Sequence, residues 1–329
     1  MAERVVITGA SAGLGRAVAR LFARRGWRVA LLARGEDGLA GAARDVAELG
    51  GMPLAIPADV ADPQAMHDAA DRVAREWGGI DVWINNAMAT VMGPIEEVTP
   101  DEFRRVTDVT YHGVVWGTQA ALRHMRRQGR GTIVQVGSAL AYRSIPLQAP
   151  YCAAKAAARA FTDSLRSELI HEGSPVRLTM VHMPGMNTPQ FEWSRLKLDR
   201  VPQPVPPVFD PAAAAEAVVR AALEAPRELW VGGSTTQAIL GQMVLPGFLD
   251  RLLSRKAWEG QMTGRRPVGR QDNLFAPVPG DHGARGPYVP QSSRSLSVFD
   301  PATVRALGIA AGGVAVLGAL AGAVAAARR

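Results

Sequence analysis

Short apolar runs alternate along the chain with longer stretches in which apolar residues recur at helical spacing. Val5-Val6-Ile7 is the first run and predicts a buried strand. A helical pattern follows through Arg25, then Arg28-Val29-Ala30-Leu31-Leu32-Ala33 as a second strand and a helix over about residues 37–49. Leu54-Ala55-Ile56 and residues 80–84, 132–136, 176–181 and 228–231 continue the strand series. Between them lie a helix opened by Pro63, a long one over about 101–127, one running on from Tyr151, and one from Pro211 to about Ala225. Strands and helices in alternation predict a doubly wound α/β fold: a parallel sheet with helices on both faces.

At 329 residues and 47% hydrophobic, the chain can hold one large α/β domain or two small ones. Its single cysteine, Cys152, excludes an internal disulfide and fits a reducing compartment. The net charge of +7 comes almost wholly from arginines placed singly or in pairs, with no basic run interleaved with aromatics. That pattern suits solvated helix faces, and no nucleic-acid partner is expected. The six histidines lack metal-ligand spacing, so no metal is expected either. Met1-Ala2-Glu3-Arg4 leads directly into the first strand, and no signal peptide is expected.

The candidate chemistry falls where predicted strands end. Thr8-Gly9-Ala10-Ser11-Ala12-Gly13-Leu14-Gly15 joins the first strand to its helix. In that setting Gly9 permits a tight turn, Gly13 lets backbone approach a pyrophosphate, and Gly15 lets the helix sit close to the strand. The helix N-terminus offers unpaired N–H groups to an anion. Arg34 closes the second strand. An acidic residue there would bind a ribose 2′-hydroxyl, whereas arginine accommodates a 2′-phosphate, so NADP(H) is expected ahead of NAD(H). Asp59, Asn86, Ser138 and Pro184 each follow a further strand, at the edge where ligands bind in open α/β sheets.

Tyr151 and Lys155 stand four apart on one helix and project from the same face. A free phenol titrates near 10, too high for efficient proton transfer at neutrality. A neighbouring ammonium favours the phenolate, so Lys155 is expected to lower the Tyr151 pKa and prepare it as a general acid–base. Only three lysines occur in the chain, against 37 basic residues in total, so lysine here is a marked choice.

With these motifs in place, residues 1–235 resemble the short-chain dehydrogenase/reductase family. The likeness rests on Thr8-Gly-x-x-x-Gly13-x-Gly15, Asp59-Val60, Asn85-Asn86-Ala87, Ser138, Tyr151-x-x-x-Lys155 and Pro184-Gly185 with Thr188. It implies a Rossmann-type sheet of about seven strands. It further implies hydride transfer between a nicotinamide cofactor and a carbonyl/secondary-alcohol pair. Tyr151 would be the acid–base, Lys155 its partner on the nicotinamide ribose, and Ser138 the hydroxyl that orients the substrate oxygen. Ser11, Leu14, Asp59, Val60, Asn86, Ala87, Pro184, Gly185 and Thr188 would line the cofactor cleft. Thr110 stands where many members carry an asparagine supporting a proton relay, and Met88 where glycine is usual. The region after Thr188 would be a mobile lid over a small hydrophobic carbonyl or alcohol substrate, and a homo-oligomer is implied. Two other readings share the fold: a cofactor-binding regulatory or scaffold protein, and an epimerase or dehydratase.

Residues 1–264 are thus expected to form the catalytic domain. Over 265–303 Pro, Gly, Ser and Arg dominate, which reads as an irregular linker. Residues 304–329 read as a hydrophobic helix, with no charge from Ala306 to Ala327. About 22 residues would span roughly 33 Å, enough for a hydrocarbon core of about 30 Å. The stretch has no polar face, and Gly308-x-x-x-Gly312 and Gly318-x-x-x-Gly322 suit close helix pairing. Its seven Leu, Ile and Val residues supply only about −2 to −4 kcal/mol of insertion energy. The expectation is a membrane anchor holding the catalytic domain on the cytoplasmic face. The alternative is a cytoplasmic protein whose last helix lies on the domain or across a dimer.

Overall fold

A computed structural model describes residues 3–288, 292–293 and 296–303. The strands are β1 (Arg4–Thr8), β2 (Arg28–Ala33), β3 (Met52–Pro57), β4 (Val82–Asn85), β5 (Gly131–Ser138), β6 (Val176–Met183), β7 (Glu228–Val231) and β8 (Val298–Phe299). They form one sheet in the order β3-β2-β1-β4-β5-β6-β7-β8. The first seven pair in parallel, and β8 pairs antiparallel to β7. The expected doubly wound sheet is present. Its antiparallel edge strand comes from the stretch read as linker.

The helices are α1 (Gly13–Ala23), α2 (Glu36–Glu48), α3 (Pro63–Trp77), α4 (Pro100–Thr107), α5 (Gly113–Gln128), α6 (Ala149–His171), α7 (Pro211–Glu224), α8 (Gly233–Val244) and α9 (Pro246–Gly260). One face of the sheet is covered by α1, α2 and α7 through Val18, Phe22, Leu39 and Val218. The other is covered by α3, α4, α5 and α6 through Met66, Val106, Met125 and Leu165. Apolar burial on both faces is why the strands read as near-continuous apolar runs.

The long helix expected over 101–127 is instead two helices joined by a π-helical turn, Asp108–His112. Its β-branched residues, Val106, Thr107, Val109 and Thr110, are weak helix formers, and the Thr110 hydroxyl bonds outside the helix. Among the described residues no helix is long and apolar enough to cross a membrane. The anchor expected over 304–329 lies outside the described residues.

Strand order reverses between β1 and β4, so their C-terminal ends flank the switch-point crevice where ligands bind in such sheets. The β1–α1 turn and the Asn85-Asn86 loop meet there.

Candidate active site

The floor of the crevice is a hydrogen-bonded clamp. Thr8 Oγ1 donates to Ile84 O at 3.3 Å and accepts from the Asn86 and Ala87 amides at 2.9 and 3.1 Å. The Asn86 side-chain amide donates back to the Thr8 carbonyl at 2.9 Å. Gly9 and Gly13 have φ of +65° and +58°, where a side chain would be strained. A Cβ on Gly15 would fall 2.6 Å from Asn86 Nδ2, so only glycine lets α1 approach this closely. No side chain caps α1, whose Gly13 amide donates instead to the Gly283 carbonyl at 3.1 Å. These features fit the pyrophosphate of a dinucleotide: a positively polarised helix end beside a cradle that Cβ atoms would fill. Replacing Thr8 by valine leaves two amides without their acceptor and should cost about 2–4 kcal/mol of stability. An unchanged thermal midpoint in that variant would contradict the clamp.

Above this floor, β5 delivers Ser138 and α6 delivers Tyr151 and Lys155 to one cavity of about 280 Å3, which Gly9, Ser11, Gly13 and Leu14 also line. The Ser138 hydroxyl accepts from the Leu140 amide at 3.1 Å and neighbours the Tyr151 phenol. Lys155 is 2% exposed, and its Nζ donates to the Val136 carbonyl at 2.7 Å. It lies 5.8 Å from the Tyr151 ring centroid.

The pKa directions revise the expectation for Tyr151. Burial pushes the phenol above its ordinary value, with the Ser138 hydrogen bond pulling the other way. Burial lowers Lys155 to about 8. Desolvation of the charged form is the leading cause at both groups. The phenol therefore keeps its proton at neutrality.

The remaining candidates divide. Asn86, Ala87, Pro184, Gly185 and Thr188 line the same cavity. Arg34, Asp59 and Val60 line a neighbouring one of about 140 Å3 at the ends of β2 and β3. Asp59 is ion-paired there with Arg105. Arg34 is differently engaged from the sequence expectation. Its guanidinium donates to the carbonyls of Asn273, Leu274 and Phe275. Thr110 is fully buried and lines neither cavity. Its hydroxyl donates to Ala89 O and accepts from Ala89 N, both at 3.0 Å, so it ties the π-turn to the loop after β4.

Residues 3–198 match the family model described as short chain dehydrogenase. A relative in Bacillus subtilis (strain 168), the uncharacterized oxidoreductase YxnA, is 31% identical over 273 residues, covering 82% of this chain and 77% of its own. The chain belongs to the short chain dehydrogenase family. A further relative, 3beta-hydroxysteroid dehydrogenase 1 of Eggerthella lenta, is 34% identical over 57% of this chain and 72% of its own. Among solved structures, an alcohol dehydrogenase from Thermococcus sibiricus complexed with 5-hydroxy-NADP matches with a TM-score of 0.59 and 29% identity. It covers 70% of this chain and 96% of its own.

Two features of this family member escaped the sequence reading. Behind Ser138, fully buried His182 places Nδ1 3.1 Å from the Ser138 carbonyl and Nε2 3.3 Å from Glu228. Tyr142 donates to the same carboxylate at 3.0 Å. Burial would raise Glu228, but the His182 and Tyr142 hydrogen bonds win and hold it at about 2. This network backs the end of β5. His182 and Glu228 sit on separate strands, and nothing in their spacing announces the contact. The second feature is that residues 265–288 lie against the domain. Leu274 is fully buried in the core, and Tyr288 is 7% exposed.

Proposed function

We propose that this chain is an NADP(H)-dependent oxidoreductase that interconverts a carbonyl and a secondary alcohol on a small apolar substrate. One observation carries the reading: Ser138, Tyr151 and Lys155 converge on one cavity that the glycine loop also lines. A bound nicotinamide supplies or accepts hydride at the substrate carbon. The chain's own residues handle the oxygen. Ser138 orients it by hydrogen bonding, and Tyr151 donates a proton to it in reduction or takes one in oxidation. The Gly9 turn and the start of α1 beyond the Gly13 amide would hold the pyrophosphate, and Asn86 and Thr188 would border the reactive half. Leu140, Ile145, Phe191, Trp193 and Val205 wall the substrate side and exclude water from it.

The absence of an acidic residue at the end of β2, where Arg34 stands, supports NADP(H). A second reading, NAD(H), is favoured by the engagement of the Arg34 guanidinium with three backbone carbonyls. Paired assays decide. Ketones, aldehydes, quinones and steroids are offered with NADPH and with NADH, following loss of reduced nicotinamide. Turnover at least about tenfold more efficient with NADPH is the expected outcome. Equal or better use of NADH overturns the preference, and turnover with neither overturns the enzymatic reading.

A further inference from the structure

The segment after Arg265 was expected to be a linker, yet it is tied to α1, α2, α4, the end of β2 and the loop after β6. Arg270 Nη2 donates to the Phe191 and Ser194 carbonyls, both at 2.8 Å. Leu274 is buried between Arg34 and Arg105, whose guanidinium groups both bond its carbonyl, at 3.3 and 3.0 Å. The Gly280 amide donates to Asp37 at 2.8 Å. Asp281 is ion-paired with Arg16 of α1. The Gly283 carbonyl accepts from Gly13 N–H at 3.1 Å. The Gly286 and Tyr288 amides donate to Asn187, next to Thr188, at 3.1 and 2.9 Å.

The fit is also steric. A Cβ on Gly41 of α2 would overlap the Asp281 carboxylate, and one on Gly286 would sit 2.6 Å from the Thr188 carbonyl. Glycines thus occur on both sides of the contact, at points where no side chain has room.

The segment roofs the crevice and leaves space beneath it. Asn273 borders both cavities, and Pro277, Val278, Gly280 and His282 border the one lined by Arg34 and Asp59. His282 meets Trp193 edge-on with ring centroids 4.6 Å apart, which joins this roof to the wall of the substrate cavity. Lacking the roof, the adenosine half of the crevice would be an open groove.

We propose that residues 270–288 are the outer wall of the dinucleotide site, a clasp latched by Arg34 and by the Arg16–Asp281 pair. The clasp closes over the bound cofactor and sets how fast it leaves. On this reading Arg34 acts on the cofactor chiefly through the clasp. The inference rests on the proposed use of a nicotinamide dinucleotide. Contacts made only in the closed state slow release more than they speed entry.

Two variants loosen the clasp at a point outside both cavities: Asp281→Ala, and Gly41→Ala from the opposite side. Both are made in the full chain, and cooperative unfolding is checked. NADPH release is followed by stopped-flow nicotinamide fluorescence after mixing with excess NADP+. Amide hydrogen exchange across 271–288 is measured with and without NADPH. Release should accelerate about tenfold in both variants. In the wild type, NADPH should slow exchange at Gly280, Gly286 and Tyr288 by a similar factor. Unchanged release in both variants overturns the clasp while leaving the oxidoreductase reading in place. Exchange that quickens with NADPH also overturns it, since the cofactor would then be displacing the segment. Binding of neither NADPH nor NADH to the wild type removes both proposals together.

Discussion

Tyr151→Phe lowers turnover by about three orders of magnitude while leaving NADPH affinity within about twofold of wild type. The substitution removes one oxygen from the cavity. In the proposed reaction the phenol exchanges a proton with the substrate oxygen, and general acid–base catalysis of this kind contributes about 10²–10⁴-fold. The ring stays, so its packing against the core is kept, and the proposed dinucleotide contacts at α1 and after β4 lie elsewhere. Ser138 keeps its bond from the Leu140 amide at 3.1 Å. A fall in kcat with an unchanged dinucleotide Kd marks an interaction made in the transition state. Turnover within about tenfold of wild type would show that the proton travels by another group, and would remove Tyr151 from the mechanism.

The fold was largely legible because parallel strands buried on both faces leave continuous apolar runs, and their phase with the helices survives without tertiary information. The glycine loop was legible for a similar reason: Gly9, Gly13 and Gly15 are required by local backbone geometry and close approach, which sequence displays directly. Three things were not. Thr110 takes its role from Ala89 across the chain, so a substitution read as a catalytic departure turned out to hold two backbone segments together. Arg34 was assigned by position at a strand end, but its partners come some 240 residues later, from a segment whose Pro and Gly content reads as unstructured. Such a segment forms little regular structure of its own. It is held by scattered polar contacts and by single buried side chains such as Leu274 and Tyr288, which leave no periodic signal. The Tyr151 pKa was misjudged because spacing shows which charges are neighbours and says nothing of how completely water is excluded from them.

That last point makes Lys155 a test in which stability and activity move in opposite directions. Lys155 is held at about 8, against 10.5 for an ordinary lysine, by burial. The unfolded chain therefore binds more protons than the folded one between those values, and stability rises with pH across that window. Below about 8 the buried ammonium costs roughly 3 kcal/mol, the equivalent of the depressed pKa. Lys155→Met fills the same space without the charge and leaves the Val136 carbonyl short of one donor, a loss of about 1–2 kcal/mol. The variant should thus be more stable than wild type at neutral pH by about 1–2 kcal/mol. The difference should close and then reverse as pH rises toward 10.5, because the wild-type lysine is by then neutral and keeps its hydrogen bond. Turnover should fall by about 10²–10³-fold, since the phenol loses the only cation on its helix face within one turn. Thermal melts of both proteins across the alkaline range read the first effect, and carbonyl reduction at neutral pH reads the second. A variant that is less stable at neutral pH, with no dependence on rising pH, would mean that Lys155 is a structural cation. A variant that is more stable yet fully active would mean that the site works without it. The combination of higher stability with lost turnover is the signature of a charge that the fold tolerates for the sake of the chemistry.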